Sequence, residues 1–317
     1  MSKKVFGSGK VIIESISEIN LKSYLVGFDL TDTGNREYRW SNLITILQDV
    51  IPEFAFGYHK EENIPIKEAN PSFICEAAKS IYKIKEFEEV KKIYLEQNSA
   101  ISDDDIEKKY LRRGEFGELI LHLLLRDFHN TIPLLSKIYF KDSYGATVHG
   151  FDAVHIQPES RTLWLGESKL YTDGKKGVKA LIQDIIEHFN KDYINDEFAI
   201  ISKKVNLLYN IPEKDHWLSL MDEHTKLSDI FKSINIPLVC TYTSELFENY
   251  DDETDDIFLK LYAEEIRELK EYFDNENNHP LKAHLNIVLL LFPVKCKTKL
   301  VQKMHRRLAH LQVINDV

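Results

Sequence analysis

Two carboxylates stand out because neighbouring strand-like segments would bring them together. Residues 147–157 and 161–170 both have the composition of β-strands, and the Pro-Glu-Ser-Arg sequence between them is typical of a turn. If the turn is a two-residue hairpin loop without a bulge, Asp152 stands directly opposite Glu167. Residues opposed in an antiparallel pair have Cβ atoms about 5 Å apart. The hairpin therefore predicts an acidic pair.

A lysine completes this arrangement, because alternation along a strand places Lys169 on the same face as Glu167. Two carboxylates so close repel each other unless a cation lies between them. Ligation by oxygen atoms alone favours Mg²⁺, with Mn²⁺ as the substitute, and such a site also takes phosphate oxygens. We therefore predict phosphodiester hydrolysis, with Asp152 and Glu167 as metal ligands. Lys169 would orient or deprotonate water, or stabilise the transition state.

The Glu-x-Lys spacing alone is weak evidence. It also occurs at residues 89–91, 107–109 and 268–270, where polar helical segments explain it as a solvated face. Residues 167–169 differ because they end an apolar strand and have an aspartate placed opposite. The competing interpretation is a surface ion pair at the end of a strand.

A third acidic ligand is expected from the helix that precedes the hairpin. Gly114 and Gly117 lie near its start, and a glycine inside a helix costs about 1 kcal/mol relative to alanine, which indicates close backbone approach there. We predict that Glu118 reaches the metal. Glu115 is the alternative, and an ordinary exposed glutamate is the competing interpretation for either.

The remaining pattern predicts an α/β fold, with helices around a mixed central sheet. Helical periodicity or capping residues mark 41–50 (with Ser41 as N-cap), 71–94, 105–128, 177–194, 255–274 and 297–312. Strand-like runs lie at 11–16, 24–30, 54–58, 237–243 and 285–292 in addition to the hairpin. Gln183 and Asp184 flank the apolar stripe of the helix after the hairpin. We interpret them as an exposed helix edge, and the alternative is that either residue helps to position water.

Composition limits the functional classes. The 317 residues carry a net charge of −10, so a broad basic surface for nucleic acid is excluded and DNA binding needs a local patch or a partner. Basic residues flank the proposed site as candidates for such a patch, namely Lys108, Lys109, Arg112 and Arg113 before it and Lys175, Lys176 and Lys179 after it. Solvated helix ends explain these residues equally well. Three separated cysteines and the lack of a long apolar segment predict a cytoplasmic protein without disulfides or membrane contact.

The order of Glu118 on a helix, Asp152 on a strand and Glu167-Ser168-Lys169 on the next strand resembles the PD-(D/E)xK nuclease core. Residues 166–171, 184–189 and 291–294 more closely resemble the HamA family, the nuclease subunits of the Hachiman antiphage defence system, over residues 105–312. The resemblance implies a restriction-endonuclease-like core, DNA as substrate, a HamB-like helicase partner and a role in antiviral defence. Phe151 replaces the familiar proline before the motif aspartate.

These expectations divide the chain into an N-terminal α+β region, residues 1–100, and a nuclease domain, residues 101–317. The first region contains a long apolar helical stripe and no recognisable catalytic residue, so we predict that it docks the partner. The alternative from another functional class is a catalytically silent, nuclease-like module that binds a partner or nucleic acid.

Overall fold

A computed structural model describes residues 4–57, 71–81, 114–135, 150–208 and 210–313 of the chain. The predictions for residues 82–113, including the second half of the long helix, lie outside the described residues. So do residues 147–149, the start of the predicted hairpin.

A seven-stranded mixed sheet forms the centre of the protein, in the order β1-β2-β9-β8-β7-β6-β5. These strands are β1 (Ile12–Ser17), β2 (Leu21–Val26), β5 (Ile132–Pro133), β6 (Ala153–Gln157), β7 (Thr162–Leu170), β8 (Ile234–Thr243) and β9 (Ile287–Val294). The strands β2, β9, β8 and β7 run parallel to one another, while the three remaining pairings, β1–β2, β6–β7 and β5–β6, are antiparallel. A separate hairpin consists of β3 (Phe28–Leu30) and β4 (Arg36–Tyr38).

Helices cover both faces of the sheet. They are α1 (Trp40–Phe56), α2 (Pro71–Ile81), α3 (Glu115–Phe128), α4 (Gly174–His188), α5 (Lys191–Leu207), α6 (Lys214–Leu220), α7 (Leu227–Lys232), α8 (Leu246–Asn249), α9 (Asp256–Glu276) and α10 (Lys297–Val313). The strands β8 and β9 are buried along almost their whole length, and β9 is entirely apolar, as expected for parallel strands with both faces covered. The α/β class and the mixed sheet between helices are confirmed.

Close backbone packing fixes α3 and α4 on opposite faces of β7. A Cβ atom at Gly117 of α3 would lie 3.2 Å from Ser168 Oγ, whereas one at Gly177 of α4 would lie 2.5 Å from Cys240 Sγ of β8. Ser168 belongs to one face of the sheet, and Cys240 shares the other face with its pairing partner Lys169. Strand β7 thus lies between the two covering helices α3 and α4.

The N-terminal region extends the same sheet. Strand β2 pairs in parallel with β9, where Leu21 lies opposite Leu289. Helix α1 is linked to α3 by a buried network in which Glu53 accepts hydrogen bonds from Arg126, and its Oε1 lies 2.9 Å from His122 Nε2. The division at residue 100 and the docking role of residues 1–100 stay predictions.

Several predicted boundaries in the N-terminal region are wrong. Helix α1 begins at Trp40, so Ser41 lies inside it and is not the N-cap. Residues 54–56 form the last turn of α1 rather than a strand. The predicted strand 24–30 is divided between β2 and β3. The wrong strand at 54–58 arises because a short apolar run fits a buried helix and a strand equally well.

The predicted helix at 177–194 is also two elements. Helix α4 ends at His188, and α5 begins after Asn190, whose side chain accepts a hydrogen bond from Tyr193 N. An asparagine in this position is a strong N-cap, so it starts a new helix instead of continuing the old one. None of the described helices is long and apolar enough to span a membrane.

Candidate active site

The hairpin of β6 and β7 has the pairing register that the sequence predicts. Ala153 lies opposite Gly166 and Gln157 opposite Thr162, without a shift between them. The turn is a short 3-10 segment, Pro158–Ser160, followed by Arg161 in the left-handed conformation with φ 51°. Asp152 precedes β6 directly, at the open end of the hairpin, and Glu167 follows Gly166 at the same end of β7.

Asp152 is anchored to β7 by two hydrogen bonds. Both Ser168 N and Ser168 Oγ donate to Asp152 Oδ2, each at 2.8 Å. Among the described residues, no group donates to the second oxygen, Oδ1. The half-buried carboxylate is thus held through one oxygen, and its other oxygen points to no protein donor.

Glu167 is buried, with 2% of its surface exposed. Its Oε1 lies 2.7 Å from His188 Nδ1 of α4, and within the described part of the chain its Oε2 has no hydrogen-bond partner. Burial raises the pKa of Glu167 well above its usual range, and the negative charges of Asp152, Asp184 and Glu118 raise it further against the opposing effect of Lys169. This carboxylate therefore lies in a buried acidic cluster.

Lys169 forms an ion pair with Asp184 of α4, with 2.6 Å between Nζ and Oδ2. Burial acts to lower the pKa of Lys169, but the hydrogen bond and charge of Asp184, with the charges of Asp152 and Glu167, outweigh it and raise the pKa. The interpretation of Asp184 as an exposed helix edge is wrong, because only 13% of its side chain is exposed. Gln183 is exposed as predicted and donates to Glu187.

Glu118 lies in the first turn of α3 and is 8% exposed. Its charge contributes to the raised pKa of Glu167, which places the two carboxylates within electrostatic range. The prediction of close backbone approach is confirmed for Gly117, which packs on Ser168, but Gly114 precedes the helix and has no atom within 4 Å of a Cβ position. Glu115 lies in the same first turn and is half-buried.

The donor set suits a hard divalent cation. Asp152 and Glu167 each have one carboxylate oxygen that is held by a neighbouring side chain. Their second oxygens accept no hydrogen bond from the described residues. The cluster also contains more carboxylates than cations. Mg²⁺ needs only one or two protein carboxylates, because water and substrate oxygens complete its shell. Among the described residues, no three His, Cys, Asp or Glu side chains converge as a metal site. Glu118 as a third ligand stays a prediction.

Exposed lysines border the site. Lys175, Lys176 and Lys179 lie in the first turns of α4, three to seven positions after the exposed Thr172 that follows β7. Their exposure agrees with contact to phosphates and equally with an ordinary solvated helix end. Lys108, Lys109, Arg112 and Arg113 lie outside the described residues.

Of the polar groups that hold the site together, sequence reasoning missed Ser168 and His188 and misplaced Asp184. Ser168 is the unspecified middle residue of the Glu-x-Lys pattern, and its side chain faces the helix α3 rather than α4. Asp184 and His188 are four positions apart, so they share one face of α4. That spacing of an acid and a histidine is the signal that could have identified them.

Comparison with known proteins adds to this geometry. Among curated proteins, none matches the chain. A family model described as HamA matches residues 6–308, which includes every strand of the central sheet and every residue of the candidate site. The match extends well before residue 105, where the sequence resemblance begins. The chain therefore belongs to the HamA family of the Hachiman antiphage defence system.

Proposed function

We propose that this protein is a metal-dependent deoxyribonuclease with a PD-(D/E)xK core, acting as the effector subunit of a defence complex. One observation carries the proposal: the hairpin register brings Asp152 onto the Glu167-Ser168-Lys169 segment, where Ser168 N lies 2.8 Å from its carboxylate. The order of helix, antiparallel hairpin and helix, with a parallel strand on the far side of β7, agrees with that core. Membership of the HamA family supports the defence role.

Asp152 and Glu167 are the residues that would hold Mg²⁺ or Mn²⁺, with Glu118 as the candidate third ligand. When bound, the ion supplies Lewis acidity toward a phosphate oxygen and lowers the pKa of a water ligand. Ser168 keeps the carboxylate of Asp152 turned toward β7, and His188 restrains Glu167. Partners of this kind fix the orientation of ligands and commonly change metal affinity or activity about 10-fold to 100-fold when removed.

Lys169 acts as a cation in this proposal. The raised pKa keeps its ammonium group protonated, and Asp184 holds that group at the end of β7. A protonated lysine donates hydrogen bonds to a phosphate or water and stabilises negative charge that develops in the transition state. In the metal-free protein this group is therefore a donor of hydrogen bonds. Of the roles that the sequence allows, charge stabilisation and water positioning are therefore favoured over general base catalysis.

DNA delivery is assigned to a helicase partner of the HamB type. The net charge of −10 gives little long-range attraction to a polyanion, so the isolated chain is expected to bind DNA weakly. A partner that moves along DNA would raise the local concentration of substrate at the site. It would also restrict cutting to the conditions under which the complex is activated.

The proposal is tested by incubating the purified chain with plasmid and linear DNA, with Mg²⁺ or EDTA, alone and with the co-encoded helicase. We expect Mg²⁺-dependent cutting that the helicase controls and that Asp152→Ala abolishes. DNA or helicase binding without cutting under every condition would instead support the catalytically silent module. Strong cutting by the isolated chain at physiological salt would contradict the control by the helicase and leave the nuclease assignment intact.

A further inference from the structure

A line of positive charge runs along the outer face of α10. Lys299, Lys303 and Arg306 are spaced by four and three positions, which places all three on one side of the helix. Lys299 and Arg306 are exposed and Lys303 is half-buried, whereas Leu300, Met304 and Leu308 on the opposite side are buried. We refer to these three residues as the basic stripe.

The basic stripe lacks acidic partners. None of its three side chains forms an ion pair with any described residue. Some exposed cations elsewhere form ion pairs, as in Lys232–Asp229, Lys260–Glu264 and Arg267–Glu18, whereas the exposed lysines of α4 form none with the described residues. Burial lowers the pKa of Lys303, and the charges of Lys299 and Arg306 lower it further. The stripe is thus a site of mutual repulsion that an external polyanion would relieve.

The stripe belongs to the same edge of the sheet as the candidate site. The first residue of α10 is fixed by the hydrogen bond from Lys297 N to Thr243 Oγ1 at the end of β8. The neighbouring strand β7 ends beside β8 with Leu170 opposite Thr241, just after Lys169. The inner face of α10 packs on α3, where His305 contacts the ring of Phe116 with centroids 5.2 Å apart. That helix also carries Glu118.

We propose that the basic stripe binds the phosphate backbone of the DNA strand that enters the candidate active site. This inference rests on the proposed nuclease function and names how its substrate is held. From Lys299 to Arg306 the helix rises about 10 Å, a length over which one strand of duplex DNA presents about three phosphates. A row of three cations without acidic partners among the described residues complements a row of anionic phosphates.

The experiment compares two triple variants of the full chain. The stripe variant carries Lys299→Glu, Lys303→Glu and Arg306→Glu, and the control variant carries Lys232→Glu, Lys260→Glu and Arg267→Glu. Both replace two lysines and one arginine, so their net charges are equal and only the position of the change differs. Binding to a short fluorescent duplex is measured by anisotropy in EDTA over about 50 to 200 mM salt, a range in which phosphate contacts are strongly salt-dependent.

We expect the stripe variant to lose more than tenfold in affinity at the lowest salt. The slope of log affinity against log salt should fall in magnitude by about 3, near 0.9 for each lost phosphate contact. The control variant should keep the wild-type slope. Because Lys303 is half-buried, a second variant changes only Lys299→Gln and Arg306→Gln, for which a slope change of about 2 is expected.

Equal slopes for the stripe, control and wild-type proteins would overturn the proposal. A stripe variant that keeps the wild-type DNA slope but no longer binds the helicase would overturn it in favour of an acidic protein partner. The nuclease function is read separately from cleavage in Mg²⁺. A salt slope that depends on the stripe, without any cleavage, would support the DNA-binding surface and contradict the nuclease function. Normal cleavage by the stripe variant, with unchanged KM and salt slope, would support the nuclease function and contradict the DNA-binding surface.

Discussion

Replacing Ser168 with alanine removes the hydroxyl that holds the carboxylate of Asp152. In the intact protein, Asp152 Oδ2 accepts from both Ser168 Oγ and Ser168 N, so the variant loses one of two donors and keeps the other. Ser168 is 5% exposed, and its Oγ lies near Gly117 of α3. Water therefore has little room to replace the hydroxyl, and the change should be measurable in both stability and activity.

The expected magnitude follows from the type of hydrogen bond. A hydrogen bond to a charged group contributes about 1.5 to 3 kcal/mol, roughly twice a neutral one. Asp152 is half-buried, so water partly compensates its lost donor, and the backbone N–H continues to bind it. We therefore expect a coupling free energy near the lower end, about 1 to 2 kcal/mol. Cleavage should fall about 10-fold to 100-fold, as is usual when a group that orients a metal ligand is lost.

The assay is a double-mutant cycle on the free energy of unfolding in urea, measured in EDTA. It compares Ser168→Ala, Asp152→Ala and the double variant with the wild type, and the non-additive part is the coupling between the two side chains. Ser160→Ala in place of Ser168→Ala is the matched control. Ser160 is an exposed hairpin serine that donates to Thr162 Oγ1 and makes no contact with Asp152.

Additivity within about 0.5 kcal/mol for Asp152 and Ser168 would refute the reasoning, because independent sites behave in that way. It would mean that the hydroxyl does not hold the carboxylate in solution. An unchanged cleavage rate in folded Ser168→Ala would remove Ser168 from the proposed mechanism, even if the coupling free energy were as large as expected.

Three further predictions concern the same site. Plasmid cleavage should be abolished by each of the substitutions Asp152→Ala, Glu167→Ala and Lys169→Ala, while the circular dichroism spectrum stays native. The control variant Glu159→Ala, in the hairpin turn, should stay active. A folded Glu167→Ala protein with full activity would contradict the mechanism. Cleavage should require Mg²⁺ or Mn²⁺, should not be supported by Ca²⁺ because of its larger and looser coordination, and should stop in EDTA, so undiminished cutting in EDTA would exclude the metal. Glu167→Gln should stabilise the metal-free protein increasingly as pH rises from the usual glutamate pKa through the raised pKa of the folded state. In this pH range the folded wild type binds its proton more tightly than the unfolded chain does, so the wild type loses stability as pH rises, whereas the neutral glutamine does not. An equal stability difference at pH 5 and pH 8 would contradict the raised pKa.

The hairpin was predictable because its rules are local. Alternation of side chains and a short turn fix which residues face each other, and Ala153 does lie opposite Gly166. The turn itself contains a 3-10 segment and Arg161 in a left-handed conformation, yet the register is the one that a two-residue loop gives. The local sequence pattern was therefore enough to predict that Asp152 and Glu167 lie at the same end of the hairpin.

The partners that cross between elements were not predictable in the same way. Whether Asp184 faces solvent or β7 depends on the rotation of α4, which is set by the close packing of Gly177 on Cys240 of the next parallel strand. That contact joins residues 63 positions apart and has no signature within either segment. The pairing of β2 with β9 was not predictable for the same reason, because strand order depends on contacts between residues far apart in the sequence.

The distribution of charge bears on how the candidate site would gain access to DNA. The buried cluster holds Asp152, Glu167 and Asp184 around a single described lysine, Lys169, so folding the metal-free chain leaves acidic groups incompletely compensated. A body with net charge −10 adds repulsion toward DNA at long range. Among the described residues, the exposed lysines of α4 and the stripe on α10 attract a polyanion only at short range, because salt screens charges beyond about 8 Å under physiological conditions. If the protein acts on DNA as proposed, the strand must first be brought to this edge, which is the condition that a helicase partner would supply.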